Sequence, residues 1–307
     1  MGFWDRDTEF AGKQIVDIQP DNPLPDPATS AVRIALEYDS ETNIEELMST
    51  LLEDPAADQV SALVIGPWSE EMFEAPPNEL VERLVAAADQ LPSLNALFFG
   101  DITAEDCEIS WITQTDLSPF WQAFPKLETL RVRGGNDLSL GKIESNNLKT
   151  LIIETGGLGV DVIRQIADAK LPALEHLEIY SGTDEYGWNG AASDFQPFTS
   201  DALFPNLQYL GLRNCECADE VAEILANAPV LDKIKVLDLS LGCLGDQGAT
   251  ALLNSDKVLK LKKLDLHYHY LSDDVVKQLS ALPIETDVTD GQGAAESVED
   301  RYCSVSE

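Results

Sequence analysis

Apolar residues in this chain recur in two alternating rhythms. Seven short segments carry an apolar residue, mostly leucine, at their first, fourth and sixth positions. They are LNALFFG (94–100), LETLRVR (127–133), LKTLIIE (148–154), LEHLEIY (174–180), LQYLGLR (207–213), IKVLDLS (234–240) and LKKLDLH (261–267). The two-residue alternation at positions 4 and 6 predicts a short strand with one face in a core. Between the later segments, 160–169, 219–228, 246–255 and 273–282 repeat their apolar residues at helical spacing, with Asp246 and Asp273 placed as N-caps. Upstream, AVRIALEY (31–38) and SALVIGPW (61–68) read as strands and 43–53 and 79–91 as helices, so about nine strand–helix units are expected. KQIVDIQ (13–19) alternates like an edge strand, and the prolines of 20–27 interrupt it. The expected organisation is a capping segment over 1–30, a repeat domain over 31–288, and an acidic tail over 289–307 that lacks periodicity and is predicted disordered.

The central residues of the seven segments, from Leu97 to Leu264, lie 21 to 33 residues apart. That period with one strand per unit specifies a leucine-rich-repeat solenoid, an α/β horseshoe with parallel strands on the concave face and helices on the convex face. LDLSLGCLGDQGATALL (237–253) and LDLHYHYLSDDVVKQL (264–279), with Leu271 at the eleventh repeat position, resemble the ribonuclease-inhibitor-like class. The blocks ALVIG-W (62–68), CEISWI (107–112), ETGGL (154–158), GTD-YG (182–187) and LSLGCLGD (239–246) resemble, in order, a bacterial leucine-rich-repeat family. The match runs from about Phe10 to Leu282. It implies the fold along nearly the whole chain and brings no particular activity with it.

Strand alternation sends positions 3, 5 and 7 to the concave face. There the early repeats offer small and apolar residues (Val64, Gly66, Phe98, Gly100), and the later ones charged, aromatic and histidine side chains. Arg131, Arg133, Tyr180, Tyr209 and Arg213 are the expected interface anchors. Glu154, Glu178, Asp238 and Asp265 would engage basic groups, with His176 and His267 beside them. Two connections exceed what a repeat needs, 101–124 and 181–204. The first is expected to bury Ile109, Trp111 and Ile112. The second, with Tyr186, Trp188, Phe195 and Phe198, serves equally as a contact loop bearing Trp188 or as a segment that buries its own rings. The expected role is non-enzymatic protein recognition, as inhibitor, adaptor or scaffold. The alternative is an accessory subunit presenting a peptide or small molecule to a modifying enzyme.

Charge narrows the partners. Fifty-five acidic residues against twenty basic ones give −35, which repels nucleic acid and anionic membranes and attracts a basic protein, or serves solubility alone. No signal peptide or 18-residue apolar run is visible, and five scattered cysteines do not form a secreted disulfide framework, so a cytoplasmic monomer is expected. Six of the lysines crowd into 233–263, which reads first as solubilising decoration and second as a positive patch. No cofactor, metal or catalytic group is expected. His267 and His269 with Asp265 read as structural rather than as a metal cluster. Cys217-Ala218-Asp219 resembles the C-x-D motif of bacterial leucine-rich-repeat ubiquitin ligases without their helical domain, and TGGLGVD (155–161) lacks the residues of a phosphate loop.

Overall fold

A computed structural model describes residues 6–20, 22–37, 39, 41–69, 72, 74–295 and 297–306. Within them twelve strands lie side by side in chain order. They are β1 (Glu9–Phe10), β2 (Lys13–Asp17), β3 (Ser30–Ile34), β4 (Ala62–Ile65), β5 (Ala96–Phe99), β6 (Thr129–Arg133), β7 (Thr150–Glu154), β8 (His176–Gly182), β9 (Tyr209–Cys215), β10 (Val236–Asp238), β11 (Lys263–Asp265) and β12 (Glu285–Asp287). Only β1 runs antiparallel to its neighbour; every later pair is parallel. Each strand pairs with the next in sequence, which is the ladder of a leucine-rich-repeat solenoid. The nine expected strands are all present, the segment expected as an edge strand at 13–19 forms β2 between β1 and β3, and β1 and β12 extend the ladder at its two ends. Tyr38, the last residue of the expected strand 31–38, lies outside the described residues, as do residues 1–5 of the capping segment.

The repeat leucines build the core. Leu97, Leu130, Leu151, Leu177, Leu210, Leu237 and Leu264 stack in register and are fully buried. Burying each contributes roughly 1.5–3 kcal/mol, an upper bound because unfolded chains are already partly compact. Behind the sheet lie α1 (Ile44–Glu53), α2 (Asn78–Ala86), α3 (Phe120–Ala123), α4 (Val160–Ala167), α5 (Ala218–Ala226), α6 (Asp246–Leu253) and α7 (Asp273–Ser280). The N-caps of α6 and α7 are Gly245 and Ser272, one residue before the expected Asp246 and Asp273. Both aspartates sit in the first helical turn, where their charge meets the positive end of the helix dipole. Asp246 accepts a hydrogen bond from the backbone N–H of Ser272 at 2.8 Å.

Both long connections are repeat elements on the helix side. Segment 101–124 buries Ile109, Ile112 and Phe120 and bridges in parallel to the next repeat at Thr113–Asn136 and Asp116–Ser139. Trp111, expected inside, is 53% exposed. Segment 181–204 forms a 3-10 helix over Ala192–Thr199 that packs between α4 and α5. Trp188 is buried there and stacks on Phe195 at 5.5 Å. It therefore lies away from the concave face, and its expected contact role is corrected: the ring fills the place a regular repeat gives to a helix.

Both chain ends pack on the repeats. The N-terminal segment covers the first repeats: Phe10 packs on Ala31, Ala62, Val64, Ala96 and Phe98, which form a second, smaller apolar cluster on the sheet's other face. The tail is ordered against the body, with Cys303 and Val305 buried. Its apolar residues alternate with polar ones, so every second side chain turns inward.

Candidate functional site

Register lines up one row of residues at repeat position 5: Asp17, Arg33, Val64, Phe98, Arg131, Ile152, Glu178, Gly211, Asp238, Asp265 and Asp287. With positions 3 and 7 it forms the polar ladder of the concave face, divided into three linked groups.

In the first, Arg131 and Arg133 both grip Glu154, at 2.8 and 3.0 Å, and both reach Asp7 of the N-terminal segment, at 2.9 and 3.5 Å. Arg131 lies over the ring of Phe98 at 4.1 Å, a cation–π contact. Arg133 also donates to the carbonyl of Ile102. Asp101 is wholly buried and receives Arg33 at 2.9 Å, and Arg33 in turn holds Asp17. Burial pushes the Glu154 carboxyl up, but the two guanidiniums outweigh it and hold the group below its ordinary range. At Asp101 burial wins over Arg133 and Arg33, and the carboxyl is raised.

The second group is centred on His176 and Tyr209, whose rings stack at 4.0 Å and 12°. The His176 Nε2–H donates to Glu178 at 2.6 Å, and the Tyr209 hydroxyl donates to Asp238. Arg213 links the two carboxylates, 2.8 Å from Glu178 and 3.1 Å from Asp238, and lies over the buried ring of Tyr180. Burial, then the nearby Asp238, hold the Tyr209 hydroxyl far above its usual value, so it remains a donor. Burial raises Asp238 despite Arg213, and Asp265 beside it adds to the rise. Glu178 is lowered: burial opposes, and His176 and Arg213 prevail.

In the third group Asp265 accepts from Lys263 at 2.7 Å and from His267 Nδ1 at 2.7 Å. Asp265, His267 and Asp287 bring ligand-type atoms within 4.8 Å of one another. Lys263, 4.0 Å from Asp287 as well, already supplies the cation between these carboxylates. His269 is not part of this group. It is buried, accepts the Leu271 N–H at Nδ1 and points Nε2 at the Val288 carbonyl, which sets the tautomer with Nε2 as donor.

The sheet thus brings Arg131, Arg133, Glu154, His176, Glu178, Tyr180, Tyr209, Arg213, Asp238, Asp265 and His267 onto one face, and excludes Trp188. It corrects their state: Arg133, Glu154, Glu178, Tyr180, Asp238 and Asp265 are buried, and the three arginines are held by the protein's own carboxylates. Asp7, Arg33, Asp101 and Asp287 belong to the ladder and were missed from the sequence. Arg33 and Asp287 occupy position 5 of their strands, a signal available once 31–38 and 284–288 are registered on the repeat; Asp7 and Asp101 carry none. Of the crowded lysines, Lys257 and Lys260 both bind Asp232, Lys263 binds Asp265, and Lys233 donates to the carbonyl of Phe204.

A solved structure from Bacteroides fragilis, a structural-genomics target, superposes on this chain with a TM-score of 0.82 and 35% sequence identity, covering 90% of this chain and 77% of that chain. The chain belongs to the family of that Bacteroides protein. An internalin from Listeria monocytogenes aligns at a TM-score of 0.38 and 14% identity, over 88% of this chain and 72% of that one, too low to carry any argument. No protein-family model matches the chain, and no curated protein does. Among the described residues no helix is long and apolar enough to cross a membrane.

Proposed function

We propose that this protein is a non-enzymatic recognition module whose concave face binds a basic region of a protein partner, and that it works as a cytoplasmic monomer. The observation that carries this is the half-exposed His176–Tyr209 stack, pinned at one end by Glu178 and at the other by Asp238. Rings already fixed by hydrogen bonds lose little freedom on binding, and amphipathic aromatics are the side chains that dominate interfaces. Beyond them the row continues through the buried Asp238 and Asp265 to the half-buried Asp287, the carboxylate of the three that a basic partner would reach. Asp265 and Asp287 share Lys263, and His267 donates to Asp265. The −35 charge of the chain would speed the approach of a basic partner.

The test is affinity capture from the native cytoplasm at low and moderate salt, with the wild type and a folded His176→Ala/Tyr209→Ala double variant. The expected result is a stoichiometric basic protein that elutes as salt rises and is absent from the variant. Equal capture by the variant overturns the assignment. Reversing Arg133 is no substitute, because its side chain is 4% exposed and its loss would strike the fold.

A further inference from the structure

The C-terminal residues form a strap along the edge where the strands exit. Arg301 binds Asp219 at 2.7 Å and the carbonyl of Cys243 at 3.0 Å. The Tyr302 N–H donates to the Tyr270 hydroxyl, and the Tyr268 and Tyr270 hydroxyls both donate to the Tyr302 carbonyl. Ser304 donates to the carbonyl of Leu241, and the Asn214 amide exchanges two hydrogen bonds with the backbone of Val305. Asn214, Leu241 and Tyr268 share the eighth repeat position and a left-handed backbone, with φ of 50°, 67° and 59°. The strap thus secures three exit turns that L-residues adopt reluctantly.

Midway along it, Cys303 Sγ lies 3.7 Å from Cys243 Sγ, the two residues being 60 apart in sequence and both buried. We propose that Cys243 and Cys303 are a redox-modification site, joined by a low-molecular-weight disulfide such as oxidised glutathione, so that the strap is locked onto the last repeats. Because both sulfurs are buried, reaction proceeds from the lifted strap. The Cys303 thiolate attacks one sulfur of the reagent and expels the first thiol. Cys243, after losing its proton, then attacks the Cys303 sulfur and expels the second. Two protein thiols are oxidised, and their two electrons and two protons end on the two glutathione thiols released.

The other cysteines are poorer candidates. Cys215 and Cys217 lie 3.5 Å apart, but a bridge between them would close only the turn that joins them. Cys107 has no thiol neighbour among the described residues with which to form an internal bridge. In a reducing compartment the Cys243–Cys303 pair stays as thiols, and the strap is held by its ion pair, hydrogen bonds and buried side chains without a covalent link.

The full chain would be equilibrated in glutathione buffers of falling reduced-to-oxidised ratio, quenched with an alkylating agent and peptide-mapped. The expected product is one Cys243–Cys303 cross-linked peptide with the other three cysteines alkylated, a Tm raised by several degrees, and slower carboxypeptidase trimming of the tail. Cys303→Ser and Cys243→Ala, tested separately so that one misfolded variant does not decide the matter, should each abolish the gain in Tm. Glutathione left as a mixed disulfide on either residue without a cross-link overturns the proposal. So does a bridge confined to Cys215 and Cys217, or reaction at Cys107 alone.

Discussion

Glu154 is the residue on which the first part of the ladder depends, since one carboxylate satisfies two guanidiniums that are themselves largely shielded from water. Removing one partner of such a buried pair leaves uncompensated charge and costs about 3–5 kcal/mol. Glu154→Gln is therefore expected to lower stability at neutral pH by an amount of that order in a denaturant titration. The effect should depend on pH with a definite sign. The folded-state pKa of Glu154 lies below its ordinary value near 4.5, so its stabilisation is present above that value and is lost as pH falls through the folded one. The gap between wild type and variant should thus narrow below about pH 4.5. Asp101 and Asp238 work in the opposite sense: their folded-state values are raised, so their contribution is present at low pH and lost as pH rises through those values.

At the level of the element, neighbouring repeats are joined by caps that cross from one to the next. Asp219, in the first turn of α5, accepts the Gly245 and Gly248 N–H groups at 2.8 and 2.9 Å and so caps α6, while Arg301 holds its other oxygen. This is the part played by the aspartate of the C-x-D stretch, and it is structural. The same close approach explains Gly248: a Cβ there would lie 2.7 Å from the Cα of Asp219. On helix propensity alone Gly248→Ala should gain about 1 kcal/mol. We expect the reverse, a lower Tm by calorimetry, because backbone must move to make room.

The strands were legible in the sequence because each leucine of the L-x-x-L-x-L pattern reports its own burial. The caps were only half legible. An aspartate before an apolar helical run marks a helix start, but whether it caps its own helix or the next depends on the spacing between repeats, which is a tertiary quantity. Loop 181–204 was left open between two readings for the same reason: Trp188, Phe195 and Phe198 replace a missing helix, and composition cannot distinguish rings that fill a vacant slot from rings that meet a partner.

On the scale of the whole molecule, the concave face is open only in part. Phe10 and Asp7 close the early repeats, where Ala31, Ala62 and Ala96 leave room for a ring, and the arginines beyond them are held by internal carboxylates. Residues over that region are thus part of the fold, and the face we propose for recognition lies beyond it, from His176 to Asp287. The row of small side chains was visible in the sequence, but which segment covers it was not, since a lone phenylalanine among acidic residues gives no periodic signal. The tail was misread for a related reason: its alternation spans Cys303 and Val305 only, too short to stand out from a polar stretch.

The proposed partner meets the sheet face and not the helices. The most direct measurement is carbethoxylation of the histidines by diethyl pyrocarbonate, in the free chain and in the captured complex, with surface-lysine labelling alongside. We expect His176 and His267 to react in the free chain and to be protected in the complex, while the buried His269 stays unreactive in both. His176 and His267 reacting equally fast in both states, with protection appearing instead at helix-side residues such as Lys142, would contradict it.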